Sequence, residues 1–262
     1  MSRFTAGLVL MAGAATLAAC QSAAYGPWPK RPVPGTQRQY ACRVAPEAPI
    51  LDGVLDDPVW ANAPWSEPFV ALSGDDAAPR HQTWFKLLWD ERSLYVAAVM
   101  LGDDVRSGSD LECSIDRQAI GAAWYELIAN PAGAVRSAFV MRKGDDRRLM
   151  VNACPTLDGA AEVQGSLDKP DDLDKGWIVE MAIPWSCLKP PQASGVEPSS
   201  KDGISPVLGD VWRMNFVRRD PALTPPAGDR AMPAPDDLWA WTPEWSLRTG
   251  NAEHWGRVQF TR

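Results

Sequence analysis

Thirteen tryptophans, against 4 tyrosines and 6 phenylalanines, are the residues of this chain with the most chemistry to offer. An indole face accepts the apolar face of a pyranose ring, so a few exposed tryptophans would serve as sugar platforms while the rest fill a core. Trp124 shares a strand face with Glu126, which implies partial exposure. Trp241 and Trp245 lie in a Pro-flanked stretch, where exposure is expected. Arg218 and Arg219 end a predicted strand and offer guanidinium donors to a hydroxyl or a carboxylate. Asp52, Asp56 and Asp57 crowd one turn, and Asp103 and Asp104 another. Such oxygen-rich turns suit a hard cation such as calcium, although neither has EF-hand spacing. His81 and His254 are the only histidines, and no cysteine pair has CxxC spacing, which argues against structural zinc. His254, just before Trp255-Gly256, reads as the source of a structural hydrogen bond.

Bulk properties narrow the function classes. A net charge of −7 repels a phosphate backbone, so nucleic acid is not an expected partner. Carboxylates are plentiful, and two opposed acids suffice for glycoside hydrolysis. No acid/base signature is recognisable, however, so the expectation is a binding protein and not a catalyst.

These residues must be positioned by strands. Thr83 to Trp89 and Leu94 to Met100 flank the polar Asp90-Glu91-Arg92-Ser93, a hairpin signal. Leu111 to Ile115 and Ala123 to Ala129 form a second pair. In the latter run, Tyr125, Leu127 and Ala129 share one face, and Trp124, Glu126, Ile128 and Asn130 the other. Further strands are predicted at Val135 to Met141, Trp177 to Ile183, Val211 to Val217 and Arg257 to Phe260. Short turns are predicted near Pro58–Ala63 and Pro184–Leu188. Many short strands without long helical periodicity predict an all-β, antiparallel two-sheet sandwich, jelly-roll or immunoglobulin-like, forming one domain over 46–262.

The N-terminus reads as an export segment. Residues 1–20 carry Arg3, a short apolar run from Leu8 to Ala19, and then Cys20. Leu17-Ala18-Ala19-Cys20 resembles the bacterial lipobox, which implies lipidation of Cys20 and a membrane anchor. The absence of Asp after Cys20 implies the outer membrane by the sorting rules of such bacteria. Residues 21–45 read as a Pro-rich, semi-rigid tether. Cys42, Cys113, Cys154 and Cys187 remain, either in disulfides of any of three pairings or as buried thiols.

In order, Asp52-Gly53-Val54-Leu55-Asp56-Asp57-Pro58-Val59-Trp60, Gly176-Trp177-Ile178-Val179-Glu180-Met181-Ala182-Ile183-Pro184-Trp185 and His254-Trp255-Gly256 resemble the family 9 carbohydrate-binding module and its wider group of heme- and sugar-binding sandwiches. The resemblance covers 48–260. It implies poly- or oligosaccharide as the ligand, glycan-degrading enzymes as partners and a role accessory to carbohydrate catabolism. Structural calcium is implied as an option, with no cofactor certain. In that family a sugar end is held between two Trp rings, with an acid, an Arg and amides on its hydroxyls. Matched by position, Glu112 falls on the acid, Asn130 on a strand-end amide and Trp245 nearest the second Trp. Arg106-Ser107-Gly108-Ser109 stands where the first Trp would be, and Ile128 near the Arg position. The alternatives are a glycoside hydrolase or its accessory subunit, a heme protein drawing on Met141, Lys143, Met181 or Met214, and a purely structural envelope sandwich.

Overall fold

The computed structural model describes residues 37–143, 146–151, 153–197, 202–203, 205–221, 238–246 and 249–262. Residues 1–36, and with them Cys20, lie outside the described residues.

The described chain is all-β, with short 3-10 turns as its only helices. The strands are β1 (Gln39–Val44), β2 (Val70–Ala71), β3 (Thr83–Trp89), β4 (Ser93–Leu101), β5 (Asp110–Asp116), β6 (Ala123–Ala129), β7 (Val135–Lys143), β8 (Asp146–Val151), β9 (Asp158–Gln164), β10 (Gly176–Pro184), β11 (Val211–Arg219), β12 (Leu238–Ala240) and β13 (Gly256–Thr261). The order is β8-β7-β6-β5-β11-β13-β1-β3-β4-β10-β9, with β12 and β2 extending from β11. Both predicted hairpins form: β3 pairs antiparallel with β4, and β5 with β6.

β1 departs from the expected antiparallel pattern. It runs parallel to β13 from Gln39 to Arg43, and parallel to β3 only at Arg43 and Val44. One strand thus hands the ladder from one layer to the other, and the two sheets of the sandwich are continuous through it. Parallel neighbours lie far apart in sequence and leave no turn signal, which is why the pairing was invisible there. β1 also lies inside the range read as tether, so the folded part begins earlier than 46.

Alternate residues face inward and meet across the layers. Phe85 of β3 stacks on Phe216 of β11 with ring centroids 3.9 Å apart, and Trp241 meets Phe85 edge-on at 5.2 Å. Each such ring contributes roughly 1.5–3 kcal/mol on burial. Yet β3 and β5 are buried on both faces. Irregular segments cover their outer sides, and those covers carry the polar chemistry.

Cys154 and Cys187 form a disulfide that ties the β8–β9 connection to the 3-10 turn after β10. Cys42 and Cys113 are free, buried thiols in the core. Burial pushes both thiols up from their ordinary range.

Candidate functional site

Along β5, Leu111, Cys113 and Ile115 enter the core, so Asp110, Glu112 and Ser114 must face outward. The same alternation turns Trp124, Glu126 and Ile128 of β6 outward, and Arg213, Asn215, Val217 and Arg219 of β11. Register places Glu112 opposite Ile128 on one side and Val217 on the other, and Ser114 between Glu126 and Asn215. Residues 241–246 and 249–255 bring Glu244 and Trp255 to this face.

The result is a buried acidic cluster. Glu112, Glu126 and Glu244 are only 3%, 4% and 1% exposed. Glu244 is well served: Oε1 accepts from Asn215 Nδ2 at 2.9 Å and Trp255 Nε1 at 2.8 Å, and Oε2 from the Asn251 backbone N–H at 2.7 Å. Glu126 accepts from Trp124 Nε1 at 2.9 Å. Glu112 has less support, with Ser114 Oγ at 2.8 Å and the Arg219 guanidinium at 3.7 Å. Burial, then the neighbouring charges of Glu126 and Glu244, push the Glu112 carboxyl well above the ordinary range. Asp110 sits at the rim between Arg136 at 3.2 Å and Arg219 at 3.7 Å.

Trp245 follows Glu244 directly in the chain. It is 57% exposed and has φ +53°, a left-handed backbone unusual for a bulky residue. Its ring rests on the backbone of Gly74; a Cβ at position 74 would lie 2.2 Å from a ring carbon. Glycine is required there both by that approach and by its own φ of +80°. An exposed aromatic in a left-handed backbone is a candidate for function.

The remaining expected site residues fall elsewhere. Trp241 is fully buried in the core, with Nε1 donating to Glu67 Oε2 at 2.9 Å; its Pro-flanked context gave the wrong exposure. Trp124 is 1% exposed, edge-on to Trp255 and roofed by Gly250, so the partial exposure expected for it is also corrected. Asn130 spends its side-chain oxygen on the Ala134 N–H, closing the turn after β6. Arg218 points the other way from Arg219. It is 4% exposed and binds the Leu101 carbonyl at 2.7 Å, Thr83 Oγ1 at 3.2 Å and Asp220 at 2.7 Å, which locks the end of the sandwich. Arg219, not Arg218, reaches Glu112.

In the turn read as a calcium site, two of the three carboxylates serve the loop itself. Asp52 Oδ1 accepts from the Val54 N–H and Asp57 Oδ2 from the Ile50 N–H, each closing its own loop. Among the described residues no three His, Cys, Asp or Glu side chains converge on a point where a metal would sit. Met181 and Met214 are packed in the core.

Sequence reasoning missed Glu126, Asn215, Glu244 and Gly74. Polar residues at alternating positions of neighbouring strands, Glu112 and Ser114, Glu126, Arg213 and Asn215, were the readable signal. The partners of that face, Glu244 and Trp255, were not readable.

The comparisons with known proteins agree with this architecture. Residues 50–118 match the family described as carbohydrate family 9 binding domain-like. A 151-residue stretch is 24% identical to endo-1,4-beta-xylanase A of Thermoanaerobacterium saccharolyticum. That match takes in 54% of this chain and 11% of the xylanase, so the chain spans only a small part of its relative. The fold is shared with a Bacteroides uniformis ATCC 8492 protein that has been suggested to bind carbohydrate. The two share 14% identity at a TM-score of 0.58, over 86% of this chain and all (100%) of that one. It is also shared with a family 9 carbohydrate-binding module of Caldicellulosiruptor kristjanssonii solved with glucose, at 18% identity and a TM-score of 0.50, over 85% and 96% of the two chains. The matched segment makes residues 50–118 family 9-like, and the solved structures share the sandwich fold of the described chain.

Proposed function

We propose that this protein is a non-catalytic carbohydrate-binding protein, and that Trp245 is the platform on which a sugar ring stacks. The observation that carries this is Trp245 itself, 57% exposed, in a left-handed backbone and seated on Gly74. A pyranose stacks its apolar face on the indole while its hydroxyls meet the charged rim of Asp110, Arg136 and Arg219. The glucose held by the Caldicellulosiruptor module makes glucose and its oligomers the first ligands to try. Every other aromatic from residue 37 onward is buried except Trp65, which is half-buried with Lys86 Nζ 4.6 Å from its ring centroid. One open ring therefore serves the sugar from one side, which does not require a free chain end. Borohydride reduction of an oligosaccharide should leave its affinity within about twofold.

Calorimetric titration of the full chain with glucose, cellotriose and xylo-oligosaccharides tests the reading. Saturable binding that Trp245→Ala removes supports it. No heat with any glycan, or equal binding by the variant, counts against it.

We further propose that Cys20 carries the lipid, that the anchored protein lies at the outer membrane, and that it retains glycan for degrading enzymes there. Labelled palmitate incorporation abolished by Cys20→Ala is the expected result; unchanged labelling would reject the anchor.

A further inference from the structure

We infer that Glu244 is the positioning residue of the platform, the group that fixes where the Trp245 ring projects. This rests on the sugar-binding reading for its functional consequence, but its structural content stands alone. The chain leaves the core at Trp241, which is fully buried, and four residues later exposes Trp245. Asn215 of β11 governs the first step: its Oδ1 accepts from the Thr242 N–H at 3.0 Å and its Nδ2 donates to the Thr242 carbonyl at 3.0 Å. Glu244 governs the second. Its side chain gathers donors from three places, Asn215 on the sheet, Trp255 at the closing turn and the Asn251 backbone. Its own backbone is held on both sides, with N–H to the Leu72 carbonyl at 2.9 Å and carbonyl from Asn251 Nδ2 at 3.1 Å.

Leu72 belongs to the same loop as Gly74, on which the Trp245 ring rests. Glu244 thus ties three segments, 72–74, 241–245 and 251–255, into one frame. Trp245 φ of +53° is a conformation that a free loop would relax, at about 1–2 kcal/mol per residue. The frame over-determines it. The three donors require an acceptor at both carboxyl oxygens; a glutamine would set an N–H against one of them.

The test is fluorine NMR of the full chain labelled with 5-fluorotryptophan. Trp245→Phe identifies the Trp245 signal by its disappearance. In Glu244→Gln that signal should narrow and move toward the value of free fluorotryptophan, with the Trp60 and Trp177 environments unchanged. Affinity for cellotriose should fall at least fivefold. Unchanged Trp245 signal and unchanged affinity would overturn the inference. Trp255→Phe removes a single donor and keeps an aromatic ring at the site, so it answers the case in which Glu244→Gln fails to fold. A smaller movement of the same signal is expected, and none would overturn the inference. If the signal moves but the parent protein binds no glycan, the positioning role stands and the sugar-binding reading falls.

Discussion

Two outer faces of this sandwich carry buried carboxylates, and they are built differently. On the β3-β4-β10 face, Glu180 is fully buried and accepts from Trp60 Nε1 at 2.7 Å, the Gly53 N–H at 3.0 Å and the Asp52 N–H at 3.2 Å. Every donor comes from the segment that covers the face, so Glu180 pins that cover and has nothing left to offer. Lys86 helps, donating to the Trp60 carbonyl at 2.7 Å. On the β5-β6-β11 face, Glu112 has one hydroxyl and a guanidinium at 3.7 Å, among two further buried acids. The cover there ends in an exposed, strained Trp245. A satisfied carboxylate under a closed cover is architecture. Here only Glu112 is thinly supported, and the cover ends in an open aromatic, which is the group that gains by meeting a ring-shaped ligand.

The largest expected effect separates the faces by stability. Glu180→Ala orphans the Trp60 indole N–H and two backbone donors, and should cost about 3 kcal/mol or more in urea unfolding. Glycan affinity measured below the transition should not change. Next in size, Trp245→Ala should lower affinity at least tenfold, about 1.4 kcal/mol, and shift stability by no more than about 0.5 kcal/mol. Trp245→Gly goes further in the same comparison. It relieves the left-handed strain and should raise stability by about 1 kcal/mol while removing binding. A loss of stability in that variant would mean that Trp245 belongs to the architecture.

The smallest effects are on pH dependence, where two single residues, Glu112 and Lys86, have opposite signs; Glu180, raised by its own burial, shares the sign of Glu112. The folded-state pKa of Glu112 is raised above 4.5. Its contribution to stability is therefore complete below pH 4.5 and is lost as pH rises through the raised value. Burial lowers Lys86 to about 8 from 10.5, so the unfolded chain holds that proton longer. Its contribution to stability rises with pH between about 8 and 10.5. Glu112→Gln should flatten the fall in melting temperature above pH 4.5, and Lys86→Met the rise above pH 8. Thermal melts across pH check both, and unchanged curves would refute the assignment.

Much of the fold was legible because it is local. Alternation and short polar connections located β3 to β7, β10, β11 and β13. β9 was missed because it has no alternation to read, being half-buried along most of its length. β2 and β12, of 2 and 3 residues, are too short to carry a pattern. β1 was missed because its partners lie at the far end of the chain and in the second layer. The site was less legible for a related reason. Burial of Trp241 and exposure of Trp245, four residues apart, depend on Glu67, Asn215 and Gly74, none of which is nearby in sequence. Arg218 and Arg219 look equivalent as a pair, yet the strand turns one to each face.

A fluorine NMR titration of the 5-fluorotryptophan-labelled protein with cellotriose tests the central claim most directly. The account predicts saturable movement of the one signal missing in Trp245→Phe, with the buried tryptophans of the β3-β4-β10 face still. No movement at millimolar sugar, or movement of other signals while Trp245 stays fixed, would contradict it.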